Sequence, residues 1–362
     1  MKDAVRFIYN HLARYAGAEG LQRPSNTCTT NPKAPLRRVS AQYSIRNFSR
    51  LRKPHAVKIQ DDCAFVTGNA SQSICAFDIS DLNDISLCGY LQSPELTAVH
   101  DITLDKNRAI VTCHTGTTVV VNISDPSEMS IIHILTDRRL AGAKRHHYCD
   151  GILYCATNDN NSLTAVDIAK SSSPEIISSV SDRSLLARAN DVFVHDQYAF
   201  VSALHGSYTV IDISNPNQPT IINSIYDERL TRTKNSVVDH RDIAYVAASG
   251  SDTIALIDVS NPSSPDVIGI ISDERLSVPL DVELNDYNDP QYLYVTFRRD
   301  KSWLAKAFGV AFAVFDIRDP YNVSLCDIRR NNFDMLDPQY ITEDNGRVCI
   351  AADGSYSLNV LI

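Results

Sequence analysis

The strongest constraint on the fold of this chain is a short segment that recurs about every 45 residues. Its clearest copy reads VIDISNP (210–216), and the related copies read FDISD, VNISDP, VDIAK, IDVSNP and FDIRDP. The acidic position or its equivalent falls at Asp78, Asn122, Asp167, Asp212, Asp258 and Asp316. The final residues GSYSLNVLI align with GSYTVIDIS and place Val360 at a seventh position. Seven similar units predict a repeat architecture.

Each unit has the pattern of four short strands. In the fourth unit, runs rich in Val, Ile, Tyr and Phe are separated by the turns HDQ, HGS and NPNQP. Such runs favour strands, and Gly, Asn, Asp and Pro favour turns. Four-stranded units of this length are typical of β-propeller blades. No unit shows the sustained 3.6-residue period of stacked helices.

The seventh unit stops after its third strand, and its missing strand is predicted near the start of the chain. AQYSIRNFSRL (41–51) aligns with the outer strand TIINSIYDERL (220–230). We therefore predict an all-β fold, a seven-bladed β-propeller of four-stranded blades over residues 39–362, with 39–49 closing the last blade. Residues 1–38 form a separate basic N-terminal arm, in which KDAVRFIYNHLARYAG (2–17) predicts an amphipathic helix.

The motif VIDISNP, with NDVFVHDQYAFVS ahead of it, resembles the LVIVD-repeat family of β-propellers over roughly residues 40–362. The resemblance is weakest in the sixth unit, which has long insertions, and in the seventh, where Val360 replaces Asp. The family implies a propeller with surface or binding roles. It implies no established chemistry, so no catalytic residue is carried over from it.

Two faces of the predicted propeller have different expected roles. The top face is the one where each innermost strand begins, and it also carries the loops to the next blade and the turns between second and third strands. The repeated motif runs towards the opposite, bottom face. There its Asp is expected to accept backbone hydrogen bonds and start a tight turn. We interpret the motif as structural.

The top mouth of the central channel is the predicted ligand site. Aligning the innermost strands gives a first ring of His55, His100, Arg145, Asn190, Asn235, Leu280 and Gln339. A second ring contains Ala56, Asp101, His146, Asp191, Ser236, Asp281 and Tyr340. Short turns add His114 and His205, and an insertion at 297–309 is expected to cover the mouth with Trp303. The predicted ligand-binding residues are His55, His100, His114, Arg145, His146, Asn190, Asp191, His205, Asn235, Asp281, Gln339, Tyr340 and Trp303.

Charge points to an anionic ligand. The chain has a net charge of −9, yet the connecting loops of the top face are rich in Lys and Arg, and a concave cationic site attracts anions. The alternative is that the repeated DRRL, DRSL and DERL segments form Asp–Arg ion pairs between blades, which would cancel much of this charge. Nucleic acid is not an expected ligand, because the bulk of the chain is acidic and the basic arm lacks interleaved aromatic residues.

Two functions follow from this site. The first is a non-catalytic binding or scaffold propeller that holds an anionic small molecule or peptide in the mouth and a protein partner on the arm. The second is an enzyme of lyase, isomerase or hydrolase type, with His100, Asp101, His146 or Asp191 acting under the 297–309 loop. Tight metal-ligand spacing, Gly-rich phosphate loops and nucleophile elbows are lacking, so we expect no metal and no cofactor.

The cellular compartment of the protein is predicted from its cysteines and its N-terminal segment. The nine cysteines form no CxxC pair and lie mostly in apolar runs, which favours a reducing, cytoplasmic compartment. Residues 1–53 contain eleven Lys or Arg against Asp3 and Glu19, so the arm also resembles a mitochondrial presequence. Docking, targeting and membrane-surface contact remain open for the arm. No transmembrane segment is expected, and the oligomeric state is not predicted.

Overall fold

The computed structural model describes residues 6–7, 37–169, 173–298, 310–330 and 335–362. They form seven antiparallel sheets, each containing the four strands of one blade. Two strands precede the first complete blade, β1 (Arg6–Phe7) and β2 (Gln42–Arg46). The fold is therefore all-β, and within the described ranges the only helical elements are short 3₁₀ turns. These turns cover Leu82–Asp84, Pro94–Leu96, Pro126–Glu128, Arg138–Leu140, Glu228–Leu230 and Asp353–Ser355.

The strands follow one another from the channel outwards in each blade. Blade one contains β3 (Pro54–Gln60), β4 (Cys63–Gly68), β5 (Ser73–Asp78) and β6 (Ser86–Gln92). Blade two contains β7 (Val99–Asp105), β8 (Arg108–Cys113), β9 (Thr117–Asn122) and β10 (Ser130–Thr136). Blade three contains β11 (Ala143–Cys149), β12 (Ile152–Thr157), β13 (Ser162–Asp167) and β14 (Glu175–Ser181). Blade four contains β15 (Ala189–His195), β16 (Tyr198–Ala203), β17 (Ser207–Asp212) and β18 (Thr220–Tyr226).

The remaining blades keep this order. Blade five contains β19 (Thr233–Val238), β20 (Ile243–Ala248), β21 (Thr253–Asp258) and β22 (Asp266–Ser272). Blade six contains β23 (Pro279–Leu284), β24 (Tyr292–Phe297), β25 (Val310–Asp316) and β26 (Ser324–Arg330). Blade seven contains β27 (Pro338–Asp344), β28 (Arg347–Ala352) and β29 (Ser357–Leu361), with β2 as its outer strand.

Blade seven joins the two ends of the ring. Strand β2 pairs antiparallel with β29, with Tyr43 opposite Val360 and Ile45 opposite Leu358. The innermost strand β27 lies beside β3 of blade one. A strand added from the start of the chain covers an edge that would otherwise present unpaired backbone groups.

The predicted N-terminal helix lies outside the described residues except at Arg6–Phe7, and these two residues form strand β1 instead of a helical turn. They pair with Ser272 and Ile271 on the outer strand of blade five. The physical reason is that an outer strand offers free N–H and C=O groups, to which an extended segment can bond.

The core lies between the blades. The third strands are almost continuously buried, as in β17 and β25. Large aromatic residues fill the space between neighbouring sheets, and the rings of Phe200 and Tyr208 stack 6.1 Å apart. Because both faces of a middle strand are covered, its sequence reads as an apolar run with little alternation.

Every innermost strand contains a β-bulge near its start. In blade two, for example, the register shifts between Val99 and Asp101, so two residues of β7 lie opposite one residue of β8. The other six blades have the same shift in their innermost strands. A bulge bends the strand and redirects its side chains. It therefore sets which side chains face the channel.

The repeated motif has the structural role predicted for it. Asp212 Oδ1 accepts a hydrogen bond from Ser214 N at 2.8 Å, and Asp78, Asn122, Asp167, Asp258 and Asp316 accept the equivalent bond. The following turn contacts the preceding blade, since Ser178 Oγ donates to Pro216 O at 2.6 Å. The motif thus forms a bottom-face turn and fixes neighbouring blades to each other.

Candidate functional site at the mouth of the channel

Strand pairing places two blades one residue out of the register that the sequence predicted. Arg145 pairs with Ala156 as Asp101 pairs with Thr112, so these two residues are equivalent. The upper ring therefore contains His55, His100, Lys144, Asn190, Lys234, Leu280 and Gln339. The central ring below it contains Ala56, Asp101, Arg145, Asp191, Asn235, Asp281 and Tyr340. His146 and Ser236, predicted in the second ring, lie one residue farther along their strands.

The shift has a simple physical reason. The turn between the second and third strands has four residues in blade three (158–161) and three in blade two (114–116). In blade five the first turn spans 239–242, whereas blade four has only 196–197 there. Extra residues within a unit move its innermost strand relative to the motif. A fixed 45-residue spacing cannot detect this.

The carboxylates of the central ring connect neighbouring blades. Asp101 Oδ2 accepts the N–H of His146 at 3.0 Å, and Asp191 Oδ2 accepts the N–H of Ser236 at 2.8 Å. Asp281 Oδ2 accepts the N–H of Ile341 at 2.9 Å. In each case the acceptor and the donor belong to consecutive blades. These buried acids therefore hold the inner strands together.

Arg145 reaches across the channel from blade three to blade six. Its guanidinium lies 3.0 Å from Asp281 Oδ2, and its Cζ lies 3.5 Å from the centre of the Tyr340 ring. Burial alone would lower the pKa of Arg145, but the attraction of Asp281 and its neighbours outweighs this and raises it. Arg145 therefore stays charged in the cavity of about 150 Å³ that the central ring lines.

The neighbouring carboxyl groups respond in the opposite way to burial. Burial raises the pKa of Asp191 to about 7, although Arg145 partly offsets the effect. Burial also raises the pKa of Asp281, again against Arg145. Arg145 thus opposes the protonation that burial favours at both Asp191 and Asp281.

The four candidate catalytic residues, His100, Asp101, His146 and Asp191, do not form a His–Asp pair that faces an open site. His146 Nδ1 lies 3.6 Å from Asp101 Oδ2 and 2.9 Å from Thr112 Oγ1, so the contacting His–Asp pair joins blades two and three. Its Nε2 is buried and has no hydrogen-bond partner among the described residues. Burial lowers the pKa of His146. His100 lies in the upper ring, whereas Asp191 lies in the central ring, where it accepts the N–H of Ser236.

Three of the five histidines predicted at the mouth meet there. The ring centroids of His55 and His100 are 4.3 Å apart, and those of His100 and His114 are 5.5 Å apart. Lys144 Nζ donates to His100 Nε2 at 3.2 Å. Burial lowers the pKa of His55 to about 4 and also lowers those of His100 and His114. The cluster is therefore neutral at pH 7, and the mouth takes its charge from Lys and Arg.

Five cations carry that charge: Lys144, Arg188, Arg232, Lys234 and Arg298. Lys144 and Lys234 are half-buried, and the three arginines are exposed. Within the ranges that the structure describes, none of the five makes a salt bridge with a carboxylate. Burial lowers the pKa of Lys144, and burial together with the nearby Arg232 and Arg298 lowers that of Lys234 to about 8.

Three of the four repeated Asp–Arg segments form ion pairs, but these pairs lie within one loop and not between blades. Arg139 lies 2.9 Å from Asp137, and Arg275 lies 2.6 Å from Asp273. Arg229 and Asp227 form the same pair. Each Asp also accepts the backbone N–H of its Arg, which fixes both groups in one tight turn. These arginines are neutralised locally, and they are different from the five cations of the mouth.

The other predicted ligand residues lie at different positions in the propeller. Asn190 Nδ2 donates to Lys234 O at 2.7 Å, and Gln339 Nε2 donates to Asp337 O at 3.3 Å. His205 is exposed and lies 6.0 Å from the ring of Tyr226 on the outer strand of blade four, away from the mouth histidines. In its turn, His205 occupies the position that Thr115 occupies in blade two, one residue beyond His114. It therefore does not join the mouth histidines. Trp303 lies outside the described residues.

The lower end of the channel contains an aromatic group that the sequence reasoning missed. Tyr287, from the long turn between β23 and β24, stacks on Phe193 at 5.5 Å, and His147 contacts Phe193 at 4.8 Å. The Tyr287 hydroxyl donates to Glu283. The only sequence signal was the length of that turn, residues 285–291. The two ends of the channel therefore differ, with the histidine cluster and its cations above and an aromatic group beside Glu283 and Lys58 below.

Within the described ranges, no group of three or more His, Cys, Asp or Glu side chains is arranged to hold a metal ion. In that same part of the chain, no helix has the length and apolar character needed to cross a membrane. The eight described cysteines are free thiols.

The fold is similar to solved β-propellers. The β-propeller domain of Cps50 (Swd1) from Myceliophteria thermophila has a TM-score of 0.65 and 12% identity, covering 88% of this chain and 99% of that domain. A functionally unknown protein from Desulfotomaculum acetoxidans DSM 771 has a TM-score of 0.64 and 12% identity, covering 83% and 94%. At such identity the likeness concerns the fold alone.

Sequence comparison identifies the repeats. No curated protein matches the sequence significantly. The LVIVD repeat model matches four stretches, residues 99–137, 152–182, 187–227 and 241–273. These stretches lie in blades two to five and contain the acidic motif positions from Asn122 to Asp258. The chain is a seven-bladed β-propeller that contains LVIVD repeats.

Proposed function

We propose that this propeller is a non-catalytic binding scaffold whose mouth holds an anionic small molecule or peptide and whose N-terminal arm contacts a protein partner. The observation that carries the proposal is the set of five mouth cations that lack a carboxylate partner in the described part of the chain. A bound anion would supply the missing counter-charge. Cations that lack a carboxylate partner in a concave, partly desolvated site attract anions strongly.

The neutral histidines support the same ligand. His55, His100 and His114 offer ring nitrogens without adding charge, so they can orient a ligand whose attraction comes from Lys144 and Lys234. The central ring below is closed by Arg145 and Asp281, which limits the site to the upper ring and the loops above it. We therefore expect a ligand that sits on the mouth and does not enter the channel.

The proposed mouth site can be tested by isothermal titration calorimetry with inorganic pyrophosphate. We expect binding that weakens as salt increases, because exposed charges are screened. A variant with Lys144→Gln and Arg232→Gln should lose most of the heat. The matched control is Lys106→Gln, which removes an exposed lysine from the bottom turn between β7 and β8 and should bind like the wild type. Equal binding by both variants would contradict the proposal.

The arm is proposed as a second binding element. We assign residues 1–38 to the arm and 39–362 to the propeller, because the basic residues of the start of the chain contrast with the acidic remainder. Strand β1 on blade five is one place where the arm touches the propeller. Removing residues 1–36 should release a partner that still co-purifies with the Lys144→Gln, Arg232→Gln variant. Retention of that partner by the truncated chain would argue against a role for the arm.

A further inference from the structure

Lys234 is a half-buried lysine at the mouth of the channel. It lies in the upper ring, inside the bulge of β19 between Thr233 and Ser236. Its backbone carbonyl accepts two hydrogen bonds from blade four, from Asn190 Nδ2 at 2.7 Å and from Ser202 Oγ at 3.0 Å. The base of the side chain is therefore fixed at the mouth.

The groups that face Lys234 are cationic. Arg232 comes from the loop before β19, Arg298 from the end of β24, and Lys144 and Arg145 from β11. The neighbouring side chain of β15, Asn190, is uncharged. No carboxylate pairs with the Lys234 ammonium among the residues that the structure describes.

This environment favours the neutral amine. Burial, assisted by the four neighbouring cations, lowers the pKa of Lys234 to about 8. An amine with this pKa is roughly 10% unprotonated at pH 7, whereas an ordinary lysine is about 0.04% unprotonated. Desolvation beside other cations is a known way to activate lysine as a nucleophile.

We propose that Lys234 forms an imine with the carbonyl carbon of an anionic aldehyde or ketone held by the mouth cations. The neutral amine adds to the carbonyl carbon, which gives a carbinolamine. The carbon–oxygen bond then breaks, and the oxygen leaves as water with the two amine hydrogens. The product is a C=N bond, and no oxidant or reductant takes part. The inference rests on the proposed anion site and names the ligand class for which that site is suited.

The test uses pyridoxal 5′-phosphate, a small anionic aldehyde, on the full-length protein. Reduction with borohydride traps the imine, and peptide mapping by mass spectrometry locates it. We expect Lys234 to be labelled at least ten times faster than Lys106, with a rate that rises with pH and levels above about 8. An uncharged aldehyde of similar size should show much less preference for Lys234. Labelling of Lys234 no faster than Lys106 would overturn the proposal.

Lys234→Arg is the matched variant, because it keeps the positive charge and removes the nucleophile. It should lose the label at this position, while Lys106 should be labelled at the wild-type rate. Circular dichroism and the melting temperature show whether the variant is folded. If the wild type binds pyrophosphate but Lys234 stays unlabelled, the imine inference fails and the anion site stands. If pyrophosphate neither binds nor slows the labelling, both fail.

Discussion

Replacing Arg145 with Met is the sharpest test of how the channel is held together. The substitution keeps much of the side-chain volume and removes the cation that lies 3.0 Å from Asp281 Oδ2. The side chains of Arg145 and Asp281 are 14% and 2% exposed, so the remaining carboxylate would be buried without its partner. Removing one member of a buried ion pair costs about 3–5 kcal/mol. At about 2 °C per kcal/mol, the melting temperature should fall by roughly 6–10 °C.

The pH dependence of this loss follows from the same pair. Arg145 opposes the rise that burial causes in the pKa of Asp281, so Arg145→Met should raise that pKa further. The variant then gains stability relative to the wild type as pH falls, because protonation removes the unpaired charge. Urea unfolding at pH 8 and pH 5 should show a larger difference between the two proteins at pH 8.

Two further variants control this experiment. Asp281→Asn removes the charge but keeps an oxygen that can accept the N–H of Ile341, so the double variant should recover part of the loss. Arg139→Met breaks an exposed pair with Asp137 and should cost at most about 1 kcal/mol. The reasoning is refuted if Arg145→Met unfolds within about 1 kcal/mol of the wild type, or if Asp281→Asn gives it no rescue.

Three other predictions concern the central ring, the motif and the blade contacts. The folded-state pKa of Asp191 is raised to about 7, so ionisation of this group makes the protein less stable as pH rises from about 4 to 7. Asp191→Asn should therefore gain stability relative to the wild type across that window, as measured by urea titrations. Asp212→Ala should cost about 1 kcal/mol through its lost turn bond, and calorimetry with pyrophosphate should be unchanged. Gly89→Ala should destabilise by more than about 1–3 kcal/mol in thermal melts, because its Cβ would lie 1.8 Å from Pro126 O. Gly346→Ala is the control, since a Cβ there meets nothing within 4 Å and adds only the backbone strain of a φ of +79°.

The sequence predicted the repeat count, the propeller and the role of the motif Asp, because each depends on local pattern. Strand periodicity, turn residues and the Asp212-type side chain all act within a few residues of chain. The mouth histidines His55, His100 and His114 were also predicted, because they lie near turns whose position the repeat fixes. These features needed no knowledge of three-dimensional packing.

The sequence could not predict the contents of the central ring. Arg145 and Asp281 are far apart in the chain and meet only because blades three and six face each other across the channel. The one-residue shift of blades three and five moved Lys144 and Lys234 into the upper ring, and a fixed spacing assigned them to loops instead. The Asp137–Arg139 type of pair was predicted between blades because a repeat alignment shows register but not the direction of a side chain.

The central claim is that the mouth cations bind an anion, and a crystal structure of the full-length protein grown with inorganic pyrophosphate tests it most directly. We predict electron density for the anion above the upper ring, within hydrogen-bond distance of Lys144 and Lys234, with the Arg145–Asp281 pair intact below it. The claim is contradicted if the mouth holds only water and the five cations turn onto neighbouring carboxylates.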